Sequence, residues 1–226
     1  MLNIIEHYGR NTLGQDYAVG DIHGYFTRLQ TALDGMGFNP ATDRLFSVGD
    51  TVDRGPESEK ALDWHAKPWF HAVRGNHEDI AIRFAQGNPV DRDSYLMNGG
   101  GWFMDLAPKE QLQFAHVFSR LPFAIEVETT SGLVGLIHAD CPKRDWFKLD
   151  DALRSSRSAR DLCLWSRKRL ELENRSIVAG VRAVVVGHTP VHDPVLLGNV
   201  YHIDTAGWTA DGHFTLLNLE TLIPGR

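Results

Sequence analysis

A chain of 226 residues, 42% of them hydrophobic and 10% aromatic, is long enough to bury a sizeable core as one α/β domain. Its formal charge of −6, from 23 basic against 29 acidic side chains, argues against a general nucleic-acid binder or a membrane-surface protein, both of which need a basic face. No apolar run approaches the roughly 20 residues that cross a bilayer. The leading residues Met1-Leu2-Asn3-Ile4-Ile5-Glu6-His7 lack a secretory pattern, and the two cysteines, Cys141 and Cys163, show no metal-type pairing, so a reducing cytoplasm is the expected setting.

In chain order, residues 1–15 predict a short leading strand and turn, and residues 17–20 the first firm strand. Beyond Gly24 the apolar positions Phe26, Leu29, Leu33 and Met36 recur at helical spacing, and Gly37 ends the run. Residues 45–48 predict a second strand, 58–65 a helix halted before Pro68, 69–73 a third strand, and 78–86 a helix closed by Gly87-Asn88-Pro89. Three βα units in succession imply neighbouring parallel strands with right-handed crossovers. Residues 88–108, containing Asn98-Gly99-Gly100-Gly101-Trp102, carry no regular pattern and predict a substrate loop. A helix follows over 108–119, and then a β-hairpin in which 122–128 and 133–137 flank Thr129-Thr130-Ser131-Gly132. The arginine-rich stretch 140–180 holds a predicted helix over 159–172. Residues 182–187 form a buried strand, and 200–203 and 213–219 supply the last two.

Three of the predicted strands break at glycine into residues that ligate metals. They run Val19-Gly20-Asp21-Ile22-His23-Gly24, Val48-Gly49-Asp50-Thr51-Val52-Asp53-Arg54-Gly55 and Val73-Arg74-Gly75-Asn76-His77-Glu78. Aspartate or asparagine beside glycine is by itself an ordinary turn former. Three such turns in series, followed by Ile137-His138 and Gly187-His188, put oxygen and nitrogen donors at several strand ends, where α/β folds build their sites. GDIHG, GDTVDRG and RGNHE in this order resemble the calcineurin-like metallophosphoesterases, and among them the phosphoprotein phosphatases. The later HAD and GHTP segments bring the likeness nearest to the phage-lambda-type and bacterial Ser/Thr protein phosphatases, over residues 20–190.

The resemblance implies an α/β fold of two stacked mixed β-sheets flanked by helices, in a single domain over 1–226. It implies hydrolysis of phosphoserine and phosphothreonine, with phosphotyrosine as a further substrate, by direct attack of a hydroxide bridging two divalent cations. Manganese is the expected metal, with iron or zinc as substitutes, because a carboxylate, amide and imidazole set suits them better than calcium. By its match to the family Asp50 bridges the metals, with Asp21, His23 and His188 on one side and Asn76 and His138 on the other. His77 is the implied general acid, oriented by Asp53. Arg54, Arg74 and Arg167 are the implied phosphate-binding residues, Arg167 sharing its predicted helix with Arg160 and Arg169.

The other histidines read as structural or surface residues, Asp204 as a turn former, Cys141 as an inert neighbour, and Trp102 as a core or groove residue. The expected partner is a phosphoprotein or phosphopeptide. No obligatory regulatory subunit is expected, because the chain stops soon after its last predicted strands. One alternative is a symmetrical diadenosine tetraphosphate hydrolase, which shares the Asp-x-His, Gly-Asp and Gly-Asn-His turns; the intact Asp53-Arg54-Gly55 and Glu78 argue against it. The other is a catalytically idle binding module on the same fold, against which the complete ligand set argues.

Overall fold

A computed structural model of the protein describes residues 4–225, so the first three positions of the expected leading segment lie outside the described residues. In chain order the strands are β1 (Ile5–Tyr8), β2 (Asp16–Val19), β3 (Arg44–Ser47), β4 (Phe70–Ala72), β5 (Ala124–Thr129), β6 (Gly132–Ile137), β7 (Ala183–Val186), β8 (Val195–Leu197), β9 (Val200–His202), β10 (Leu216–Asn218) and β11 (Pro224–Gly225). They form two mixed sheets, ordered β1-β5-β6-β7-β9-β8 and β11-β10-β2-β3-β4. β2, β3 and β4 are parallel neighbours, as three successive βα units require. The predicted hairpin is the antiparallel pair β5 and β6, and β6, β7 and β9 run parallel.

β7 shows why four apolar residues stand in a row. Ala183 and Val185 meet Ala18, Phe46 and Leu217 in the core between the sheets, while Val184 and Val186 pack with Leu149, Leu153 and Leu164 in the core outside the sheet. Both faces of this strand are covered, so its side chains cannot alternate with polar ones.

Helices α1 (Phe26–Met36), α2 (Ala61–His65), α3 (Asn76–Ala85), α4 (Arg92–Met97), α5 (Gly101–Met104) and α6 (Pro108–Phe118) cover the five-stranded sheet through Phe26, Leu29, Trp64, Phe103 and Phe114. α7 (Leu149–Ser155) and α8 (Arg157–Trp165) cover the six-stranded one, and α9 (Lys168–Glu171) follows. α1 ends as its sequence predicts: Gly37 takes φ 78°, where a side chain would be strained, and its N–H closes the last turn onto Leu33 and Asp34.

Two expectations are corrected here. Residues 88–108 are not an irregular loop, because α4 and α5 bury Tyr95 and Phe103 in the core. Helices of six and four residues are too short for a 3.6-residue period to register. The helix expected over 159–172 is broken at Ser166, which is extended (φ −71°, ψ 126°), so Arg160, Arg167 and Arg169 do not share one helix.

Candidate active site

The parallel strands β2, β3 and β4 of one sheet and β7 and β9 of the other end at the same edge of the sandwich, and residues that follow them line a common cleft of about 280 Å³. The turns there are sharp. His23, Asp50, Asp53, Arg54 and His188 all take positive φ (46°, 49°, 70°, 66° and 67°), a region non-glycine residues seldom occupy unless their surroundings hold them in it. Glu78, buried in the first turn of α3, supplies much of that hold. Its carboxylate accepts the N–H groups of Asp50 (3.0 Å), Thr51 (2.7 Å) and Gly75 (2.8 Å) and the Thr51 hydroxyl (2.8 Å), lacing the Asp50 turn to the helix start. Glu78→Gln places an amide NH2 among these donors and is expected to destabilise the metal-free protein by about 1–3 kcal/mol. An unchanged urea midpoint would contradict the lacing.

Glycine is required where carboxylates press on backbone. A Cβ on Gly75 would lie 2.1 Å from Asp50 Oδ1, and one on Gly187 2.3 Å from Asp21 Oδ1. The His77 N–H, at the α3 N-terminus, donates to Asp50 Oδ1 (3.0 Å), and the His188 N–H donates to Asp21 (3.0 Å).

Asp50, 2% exposed, is the centre. Its Oδ2 lies 3.4 Å from His138 Nε2, 3.8 Å from His23 Nε2 and 3.8 Å from His77 Nε2. Two groups of donors share it: His23 and His77 with Asp50, and His138 and His188 with Asp50, the donor atoms of each group lying within 4.8 Å of one another. The Asn76 side-chain oxygen joins the second group, 2.9 Å from His138 Nε2, 2.9 Å from His188 Nδ1 and 3.3 Å from Asp50 Oδ2. Turning this amide round would offer its N–H groups to the same atoms. A convergence of amide oxygen, carboxylate and two imidazole lone pairs is nonetheless the donor set of a borderline divalent cation, and on that ground the residues fit a metal. Backbone carbonyls fix the tautomers: His23 Nδ1–H donates to Val52 O (2.9 Å) and His138 Nδ1–H to Val48 O (2.7 Å), leaving each Nε2 free to ligate.

The charges point the same way. Asp21, Asp50 and Asp204 are all buried at the cleft, and burial, then Asp204 and Asp50, push the Asp21 pKa well above the usual carboxylate range. For Asp50 burial opposes ionisation, but His138, His77 and His23 outweigh it and hold the pKa well below that range. Burial and then the neighbouring His138 lower His188 to about 3, so its ring is a neutral donor.

His77 Nδ1–H donates to Asp53 Oδ2 at 2.6 Å, with both residues buried, and Nε2 is left at the cleft. Burial opposes a charge on His77, yet Asp50 and Asp53 raise its pKa. Arg54 and Arg167 line the cleft, Arg54 lying 4.6 Å over the Trp208 ring.

Two expectations change. His188 places its ring with His138 and Asn76, not with Asp21 and His23; only its backbone N–H reaches Asp21. Arg74 is not a cleft residue. Its guanidinium is buried over the Phe123 ring, donates to Ser119 O (2.8 Å) and Leu121 O (3.3 Å) at the end of α6, and lies 3.7 Å from Asp79. There it caps the negative end of a helix. Arg74→Ala is therefore expected to lower thermal stability and leave KM for a phosphomonoester unchanged, whereas Arg54→Ala raises KM. A raised KM with intact stability for Arg74→Ala would restore the phosphate-binding role. Of the competing arginines, Arg169 pairs with Asp140 (2.7 Å) and Arg160 bonds the Leu153 carbonyl.

Asp204 does more than form a turn: its Oδ1 accepts Ala206 N–H (3.1 Å), while Oδ2 is buried without a partner at the cleft. Its position after an apolar strand was the available signal. The sequence marked Trp102 only as a core or groove residue and did not point to its bond with Asp53, to whose Oδ1 the indole N–H donates (2.7 Å). His192 is exposed beside Asp193, as expected for a surface residue. Cys141 and Cys163 are free, and burial raises the Cys141 thiol to about 11, so neither is a reactive thiolate. No helix among the described residues is long and apolar enough to cross a membrane.

Comparison with known proteins agrees with this geometry. The family model for calcineurin-like phosphoesterases matches residues 17–207. The chain is 36% identical over 209 residues to serine/threonine-protein phosphatase 1 of Salmonella typhimurium, covering 90% of this chain and 91% of that one. It is 25% identical to an asymmetrical bis(5'-nucleosyl)-tetraphosphatase of Bacillus velezensis, over 83% of this chain and 82% of that one. A crystal structure provisionally described as a diadenosine tetraphosphatase superposes with a TM-score of 0.68 at 18% identity, covering 100% of this chain and 99% of that one. With its strand-end turns, its shared aspartate and a family match over most of its length, the chain belongs to the calcineurin-like phosphoesterases.

Proposed function

We propose that the chain is a metal-dependent phosphoprotein phosphatase for phosphoserine and phosphothreonine, with phosphotyrosine as a further substrate and manganese as the working metal. The observation that carries the reading is Asp50 shared between two donor groups, with the His77–Asp53 pair beside them. Asp21, His23 and Asp50 would hold one cation, and Asp50, Asn76, His138 and His188 the other; bound there, the pair supplies a nucleophilic water at neutral pH and neutralises phosphoryl charge. The chain's own residues do the rest. Arg54 and Arg167 take phosphoryl oxygens from the cleft walls. His77, fixed through Nδ1 by Asp53, presents Nε2 and delivers a proton to the departing oxygen.

That proton argues for a phosphomonoester. A serine alkoxide is a poor leaving group and needs protonation, whereas a nucleotide leaving from a phosphoanhydride needs it far less. The greater similarity to the Salmonella phosphatase supports the same choice. Two buried, free thiols support a reducing cytoplasm as its location. A dinucleoside tetraphosphate is the second reading: the relative from Bacillus velezensis carries that name, and Trp165, 44% exposed at the cleft, offers a face on which an adenine can stack. The deciding experiment is kcat/KM for a phosphoserine peptide and for diadenosine tetraphosphate, side by side, on metal-stripped protein resupplied with Mn²⁺. Preference for the peptide is expected. Preference for the dinucleotide would replace the first reading with the second, and silence on both with metal bound would leave an idle module.

A further inference from the structure

We propose that Trp102 is a positioning residue for proton delivery, locking the Asp53 carboxylate so that His77 presents one fixed tautomer to the cleft; this rests on reading His77 as the proton donor. Asp53 has no exposed surface, and each of its carboxylate oxygens has a dedicated donor. Oδ2 takes His77 Nδ1–H at 2.6 Å and Oδ1 takes Trp102 Nε1–H at 2.7 Å. Bonds at both oxygens oppose rotation of the carboxylate plane, which would otherwise carry the His77 ring with it. The choice of an indole matters, because it donates and never accepts. A hydroxyl or water in its place could reverse its role, whereas Trp102 keeps Oδ1 an acceptor and leaves Oδ2 to His77.

The indole is itself held in place. Its ring packs edge-on against Phe103 (5.4 Å) and Phe114 (5.1 Å), so the N–H is aimed by the core. The preceding residues touch the same catalytic turn, since Asn98 Oδ1 accepts from Arg54 Nη2 at 3.3 Å. The α4–α5 segment thus supports both the donor pair and a phosphate-binding arginine.

Trp102→Phe tests this, since it keeps an aromatic ring in the packing and deletes the donor, the accompanying loss of ring volume being controlled by a packing variant. On a phosphoserine peptide kcat is expected to fall on the order of tenfold, within the range that loss of an orienting partner costs, with KM little changed. On p-nitrophenyl phosphate, whose leaving group departs without a proton, kcat should stay within about twofold. In a His77→Asn background the substitution should cost nothing further, because its route to the substrate is gone. Phe114→Leu, which loosens the same packing without touching the N–H, should shift both esters alike. A fourth readout needs no substrate: the downfield Nδ1–H proton resonance of metal-free protein, identified by its absence in His77→Asn, should broaden by exchange in Trp102→Phe. Equal losses on both esters, an additive loss in the His77→Asn background, or an unchanged resonance would each overturn the proposal. A resonance that responds in a protein inactive on phosphoserine would uphold the positioning role and count against the phosphatase reading instead.

Discussion

Asp50→Asn is expected to lose bound metal and activity together, with kcat on phosphoserine peptide down by at least about 10²-fold. The Asp50 carboxylate belongs to both donor groups, and its ionisation is favoured by three imidazoles and the His77 N–H. The amide is nearly isosteric and keeps one oxygen, so the fold should persist while the charge that both cations need is gone. Elemental analysis of the purified variant, beside its turnover, checks this. A variant that keeps two metals and near-normal turnover would remove Asp50 from the centre of the account.

The second large effect separates proton delivery from metal binding. His77→Asn should lower kcat on phosphoserine substrates by about 10²–10⁴-fold while leaving metal content unchanged. The geometry makes this a real test, because His77 Nε2 stands in a donor group with His23 and Asp50. What distinguishes it from the other imidazoles is its second nitrogen. His23 and His138 anchor theirs to neutral carbonyls, whereas His77 is bonded to a buried carboxylate that supports the protonated ring. If metal is lost in proportion to activity, His77 is a ligand and another group must supply the proton.

Much of this site was legible in the sequence, for a local reason. A glycine at a strand end permits a sharp turn that sends the next residue out of the sheet edge, and Asp21, Asp50 and Asn76 all follow such glycines and line the cleft. The α/β class followed from βα units succeeded by a hairpin, whereas the two stacked sheets came from the family resemblance. Side-chain direction was less legible. Arg74 stands beside a ligand turn, but its guanidinium turns away to carbonyls just past the end of a helix more than forty residues on, a contact that local spacing does not announce. His188 follows its strand as expected, yet which donors its ring joins depends on how the two sheets stack. The Trp102–Asp53 bond spans 49 residues and depends on α5, a helix too short to announce itself.

The most direct test of the shared-aspartate site is a titration of metal-stripped wild-type protein with Mn²⁺, following bound metal and phosphoserine-peptide turnover in the same samples. Two cations per chain are expected, with turnover that rises with occupancy of the second. Full turnover in stripped protein, or a plateau with one cation bound, would contradict it.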